Sequence, residues 1–218
     1  MKQSMWEDIY ARGEQLSRYP FAEVVSFYFR NRRSDSSCPQ VALDVGCGSG
    51  VHSAFLAENG CEVLGIDFSK SAIIAAQEQH QNANIIFKHI GFEDFSNHTK
   101  EFDFVVDRCS TTHSTRPIVK NFYQNLKPCL APGAKMFWQG FAWDNSGREL
   151  GVDVGDGSWN NFSGGVFKPL GRTAFFTEQD VRTIFDGYAI QHLRYVCDRD
   201  VVANYNHSSW IIEAVFDG

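Results

Sequence analysis

The stretch LDVGCGSGVHS, Leu43 to Ser53, places Gly46, Gly48 and Gly50 directly after a short apolar run, with Cys47 between the first two. Glycines so spaced let backbone N–H and C=O groups meet a ligand with no Cβ in the way. Three ligands compete for such a loop. A phosphate loop ends in Gly-Lys-Ser/Thr, but Gly50 is followed by Val51 and His52. A dinucleotide turn needs G-x-G-x-x-G, and its last position is Val51. Asp44, two residues before Gly46, would repel a pyrophosphate and suits a cationic amine. Asp67 closes the later segment VLGID. An acid there can accept from ribose hydroxyls, or it can simply favour a helix start. A third group is FDFVVDRCSTTHS, with Asp107, Arg108 and His113. Histidine is the usual general base near neutral pH. Arg108 either pairs with Asp107 or faces an anion.

These residues need a frame that brings strand ends together. VALDVG, CEVLGID, ANIIFKHI, FDFVVDR and GAKMFWQGF read as five short buried strands. Helical stretches separate them: GVHSAFLAENG, SKSAIIAAQEQH with Ser69 as its cap, and Arg116 to Leu126. TEQDVRTIF is a late helix in which Thr177 and Asp180 form a near capping box. YAIQHLRYV and SSWIIEAVF follow with no helix between them, so they pair antiparallel at one edge. The expected fold is α/β: a doubly wound, mostly parallel seven-stranded, Rossmann-like sheet with an antiparallel edge strand and N-terminal helices. One domain is expected over 1–218, with a helical lid over 1–35, a ligand core over 41–141 and an inserted loop over 140–172. NRRSDSSCPQ, 31–40, reads as a linker.

The chain has 218 residues, 43% of them hydrophobic, and a net charge of −6. That balance disfavours nucleic acid and anionic lipid as partners. The N-terminus lacks the apolar stretch of a signal peptide, and no apolar run is long enough to span a membrane. Six cysteines without a C-x-x-C pair read as reduced thiols in a cytoplasmic setting. DVGDGSWNNFSG misses the EF-hand pattern, and no metal is expected. Oligomeric state is left open, a homodimer included.

D-x-G-x-G-x-G after the first strand, with an acid ending the second, resembles the class I S-adenosylmethionine-dependent methyltransferases over Val41 to about Phe141. The resemblance implies S-adenosylmethionine as cofactor. Asp44, Gly46, Cys47, Gly48 and Gly50 would then surround its methionine end. Asp67 would hold the ribose and Phe68 would pack on the adenine. Family members often carry an acid after the third strand. Here the text is HIGFEDF, so Phe92 offers its N–H and Glu93 is the candidate carboxylate. Asp107 and Arg108 would lie beside the sulfonium. No Asn-Pro-Pro-Tyr-like sequence follows Asp107, which favours oxygen over nitrogen as the methyl acceptor.

Within that reading His113 is the candidate base, with Asp107 beside it, and His52 either reaches the methionine carboxylate or is a partly exposed histidine at a helix start. Tyr10, Arg12 and Tyr19 are candidate lid contacts, since similar small-molecule methyltransferases fold an N-terminal helix over the cofactor. Trp143 and Trp159, in a glycine-rich loop, could stack on a flat acceptor. The expected activity is methyl transfer to a small molecule, a hydroxyl on a sugar or secondary metabolite. A non-catalytic S-adenosylmethionine sensor or subunit is the alternative, and an NAD-dependent oxidoreductase is disfavoured by Val51.

Overall fold

The structure is a computed structural model that describes residues 4–33, 38–95 and 101–218. The linker expected over 31–40 lies partly outside these residues. Two helices come first, α1 (Ser4–Ala11) and α2 (Ala22–Asn31). Strands and helices then alternate: β1 (Val41–Val45), α3 (Val51–Glu58), β2 (Glu62–Asp67), α4 (Lys70–Gln79), β3 (Ile85–His89), β4 (Phe102–Arg108), α5 (Arg116–Leu126) and β5 (Leu130–Phe141). Three short strands follow, β6 (Val152–Asp153), β7 (Ser158–Asn160) and β8 (Thr173–Ala174). The chain ends with α6 (Glu178–Ile184), β9 (Ala189–Asp200) and β10 (Tyr205–Phe216).

Seven strands form one sheet in the order β3-β2-β1-β4-β5-β10-β9. The first five are parallel, and β10 runs antiparallel to both its neighbours. The last two strands thus pair antiparallel at the sheet edge, with β9 outermost. The winding reverses between β1 and β4, where a doubly wound sheet opens its ligand crevice.

Periodicity explains how both faces are covered. In α5, Val119, Phe122, Tyr123 and Leu126 fall at helical spacing, and all are buried. They pack with α6 and with Trp138 and Phe176 on one face of the sheet. Thr115 caps α5 by accepting from Ile118 N. On the opposite face Val24, Phe27 and Tyr28 of α2 and Leu56 of α3 cover Phe104 and Phe137. Burying each such side chain contributes about 1.5–3 kcal/mol. Phe29 of α2 and Ile74 of α4 are exposed.

The loop over 140–172 is built rather than irregular. β6, β7 and β8 make a second, three-stranded antiparallel sheet. Arg172 ties it together through an ion pair to Asp156 and a 3.0 Å hydrogen bond to Ser158 Oγ. Its interior is aromatic: Phe141, Trp159, Phe162, Phe167 and Phe175 with Cys109. At the start of α6, Thr177 and Asp180 close a full capping box, although Asp stands where Glu is preferred. Among the described residues no helix is long and apolar enough to cross a membrane.

Candidate active site

The glycine loop joins β1 to α3 at the switch point. Gly46, Gly48 and Gly50 have φ of 62°, 53° and 82°, which side-chain-bearing residues rarely adopt. That turn aims the N–H of Gly48 at Asp67 Oδ2, 2.9 Å away across the ends of β1 and β2. Cys47 N donates to the Ile66 carbonyl at 2.9 Å and fixes the loop against β2. Ser53, one turn into α3, donates to Asp44 Oδ2 at 2.6 Å. Ser69 N donates to Asp67 Oδ1 at 2.8 Å. Both carboxylates are therefore held by donors, yet both are buried.

Burial dominates their acidity. Desolvation pushes Asp44 up to about 7 and Asp67 to about 6, against the opposing pull of those hydrogen bonds. Each is ionised more easily in the unfolded chain. Their protonation thus stabilises the fold at acid pH, and that contribution is lost as pH rises from about 4 to 7. A cation placed beside them reverses the effect.

A cavity of about 210 Å³ opens in front of these acids. Its lining includes Asp44, Gly46, Cys47, Gly48, Asp67 and Phe68 from the ends of β1 and β2. It also includes Arg108, Cys109, Ser110, His113, Phe141 and Leu170. Trp6 and Tyr10 of α1, with Phe21 and His52, line it too. A Cβ on Gly46 would stand 1.6 Å from Ser110 Oγ, and one on Gly48 would stand 2.3 Å from the Tyr10 hydroxyl. Gly50 plays a different part. It does not line the cavity, and its Cβ would meet the Phe87 ring at 2.7 Å, so its smallness serves packing of α3 against β3.

The end of β4 divides the two residues expected beside the sulfonium. Asp107 faces the interior, where Ser110 N, Thr111 and the Tyr123 hydroxyl, the last at 2.8 Å, donate to its carboxylate. Burial raises it to about 6. It is the hub that shapes the 110–114 turn, and it lies outside the cavity lining. Arg108 points to the opposite face and does not pair with Asp107. Its guanidinium lies 3.5 Å over the Phe21 ring, and its buried Nε has no hydrogen-bond partner among the described residues.

His113 reaches the cavity from the turn that Asp107 holds. Its Nδ1 lies 3.3 Å from the Arg172 carbonyl and 3.4 Å from Thr173 Oγ1; in the tautomer with the proton on Nδ1, that carbonyl accepts it and Nε2 is left as the acceptor. The ring meets Trp6 edge-on at 4.9 Å between centroids. Burial lowers its pKa to about 4, and the imidazole is neutral at physiological pH. His52 is lowered to about 4 as well, first by burial and then by the charge of Arg108.

Other expected contacts fall elsewhere. Phe92 packs on Phe122 at 5.4 Å, and Glu93 accepts from Ser114 Oγ at 2.9 Å, so both face α5 and not the cavity. Tyr19 is 81% exposed, and Arg12 pairs with Glu14 in solvent. Trp143 and Trp159 meet edge-on at 5.2 Å and line no part of the cavity. Arg148 lies 4.4 Å over the Trp143 ring, and Trp159 sits inside the inserted aromatic core. Ser110 and Phe141, which do line it, follow strand ends at the crevice, and that position was the available signal. Leu170 and Phe21 carry no local mark.

With this geometry in place, comparison with known proteins is direct. Residues 42–133 match the family model described as methyltransferase domain. A ubiquinone biosynthesis O-methyltransferase of Coxiella burnetii is 32% identical over 98 residues, 44% of this chain and 41% of that protein. An 18S rRNA (guanine-N(7))-methyltransferase of Arabidopsis thaliana is 26% identical over 124 residues, 53% of this chain and 43% of that protein. The chain therefore spans less than half the length of these curated relatives. The N-methyltransferase NodS of Bradyrhizobium japonicum, solved with S-adenosylhomocysteine, superimposes with a TM-score of 0.70 at 15% identity, covering 100% of this chain and 99% of that one. Residues 42–133 thus resemble a methyltransferase domain, and the chain shares the fold of solved S-adenosylmethionine-dependent methyltransferases. S-adenosylmethionine is the cofactor of that class.

The residues present fit that cofactor at its charged end. Asp44 and Asp67 suit an ammonium and ribose hydroxyls, and the unpartnered Arg108 suits a carboxylate.

Helix α1 closes the cavity through one clasp. Glu7 accepts from Ser69 Oγ at 2.8 Å and from Ser71 Oγ at 2.6 Å, at the N-terminus of α4 where an acid is favoured. Those bonds hold its pKa below the usual carboxylate value. Glu7→Gln is expected to speed protease cleavage within residues 4–20 several-fold while leaving the core melting temperature within about 2 °C. Equal cleavage rates for the two proteins would show that the clasp does not hold the helix.

Proposed function

We propose that this chain transfers a methyl group from S-adenosylmethionine to a hydroxyl oxygen on a small molecule. The observation that carries the reading is the content of one cavity: the carboxylates Asp44 and Asp67 and a neutral His113 line it together. The cofactor supplies an electrophilic methyl on a sulfonium. Asp44 would accept from its ammonium, Asp67 from its ribose hydroxyls, and Arg108 with His52 would seat its carboxylate. Phe68 would pack on the adenine.

His113 Nε2 takes the proton of the acceptor hydroxyl as the new bond to oxygen forms. Burial keeps it unprotonated across physiological pH and also makes it a weak base in the free chain. Trp6, Phe141 and Leu170 supply apolar surface beside His113, and Arg108 and Ser110 supply polar groups. A cavity of this size and mixed lining supports a small acceptor. The net charge of −6 supports the same choice over nucleic acid, despite the rRNA enzyme among the relatives.

Calorimetric titration with S-adenosylmethionine, S-adenosylhomocysteine and NAD tests the cofactor. Heat with the first two and none with NAD is expected; heat with NAD alone contradicts the proposal. Turnover of a panel of hydroxylated metabolites then tests the acceptor. On whichever acceptor is methylated, His113→Ala is expected to lower kcat by about 10²–10⁴-fold with unchanged S-adenosylhomocysteine affinity. Full turnover by that variant removes His113 as the base.

A further inference from the structure

Strand β9 is the outer edge of the main sheet. One side pairs with β10, and the other side pairs with nothing among the described residues. From Gln191 to Asp200 every residue except Leu193 is exposed, Tyr195 and Val196 among them. Proteins blunt such edges with lysine, proline, bulges or brevity. β9 is 12 residues long and contains neither lysine nor proline; its charges, Arg194, Asp198, Arg199 and Asp200, are of both signs and can pair with those of a second copy. Its one irregularity, opposite Glu213 and Ala214, lies before the 192–200 stretch.

Side chains alternate along a strand, so His192, Arg194, Val196, Asp198 and Asp200 share one face. We propose that this edge pairs antiparallel with the same edge of a second copy, about a twofold axis through Val196. In that register Arg194 stands opposite the partner's Asp198, and His192 stands opposite the partner's Asp200. The symmetry repeats each pair, giving four opposite-charge or polar–charge contacts along one face. Leu193 stands opposite the partner's Arg199, and Tyr195 opposite the partner's Cys197.

Registers shifted by one residue keep half of these contacts. An axis at Cys197 sets Arg194 opposite the partner's Asp200 but leaves Asp198 opposite the partner's Val196. An axis at Tyr195 sets His192 opposite the partner's Asp198 but leaves Arg194 opposite the partner's Val196. The required groups are available: Asp198 makes no hydrogen bond or ion pair among the described residues. Arg194 uses one nitrogen on Glu213 at 3.1 Å, and its side chain stays 45% exposed. The 192–200 stretch extends for about 30 Å at the rise of a strand. A C2 contact of this kind is self-complementary and closed, so it makes a dimer and not a fibre. The proposal does not depend on the catalytic reading, since β9 contributes nothing to the cavity.

Light scattering on the full chain tests it. The wild type is expected at twice its 24.6 kDa mass. Arg194→Asp and Asp198→Arg each place like charges opposite one another twice, and each is expected to weaken the dimer about tenfold or more. The double variant Arg194→Asp/Asp198→Arg restores it. Circular dichroism confirms that each variant is folded. Val196→Cys, with the exposed Cys38 and Cys197 changed to Ser, is expected to cross-link to itself on oxidation. Opposed Cα atoms at about 4.5–5.5 Å lie within disulfide reach. A monomeric wild type, or a dimer indifferent to both single charge reversals, overturns the proposal. A dimer in which Val196→Cys does not cross-link overturns the register.

Discussion

The structure turns on keeping two carboxylates out of water at the end of a sheet. Asp44 and Asp67 sit at the carboxyl ends of β1 and β2, inside the crevice where the winding reverses. Taking an ion out of water costs several kcal/mol unless donors or a counter-charge compensate. The chain supplies donors only: Ser53 for Asp44, and the N–H groups of Gly48 and Ser69 for Asp67. The Gly48 donor points inward because φ at Gly46, Gly48 and Gly50 is positive, so the glycine spacing and the acids form one device. Its residual cost appears as raised pKa values, and a cationic ligand removes it.

The rest of the molecule serves that crevice. Asp107, buried one strand over, organises the 110–114 turn through Thr111 and Tyr123. That turn presents His113 to the cavity and seats Ser110 against Gly46. The inserted three-stranded sheet supplies the Arg172 carbonyl that orients His113, while Leu170 beside it lines the wall. Helix α1, clasped by Glu7 onto α4, closes the front with Trp6 and Tyr10. These parts come from five separated segments, which explains why no single motif describes the rest of the site.

Local pattern carried the frame well. Alternating apolar runs and caps located β1, β2, α4 and β4, and Arg116–Leu126 coincides with α5. Asp44 and Asp67 were legible because strand ends at a switch point face a ligand whatever the side chains around them. Side-chain direction was harder. Period two dictates that Asp107 and Arg108 face opposite ways, but only tertiary packing decides which one meets the cavity. Phe92 and Glu93 follow a strand end too, yet a short 3-10 turn rotates them onto α5. Trp143 and Trp159 read as a stacking platform because flat rings in a glycine-rich loop look unpartnered. In the fold they partner each other and Arg148. Tyr19 and Phe21 lie two residues apart, and nothing local distinguishes the exposed ring from the one beneath Arg108.

The central claim is that the buried acids await a cation, and proton release tests it most directly. Asp44, at about 7, is close to half protonated at neutral pH in the free chain. S-adenosylmethionine titrated at pH 7, in buffers of differing ionisation enthalpy, should release a fraction of a proton per bound ligand. Release should turn to net uptake above about pH 8.5, where the free ligand's own amine must gain a proton to bind as an ammonium. Binding heats that do not depend on the buffer at pH 7 would contradict the account, because the carboxylates would then carry the same charge with and without the ligand.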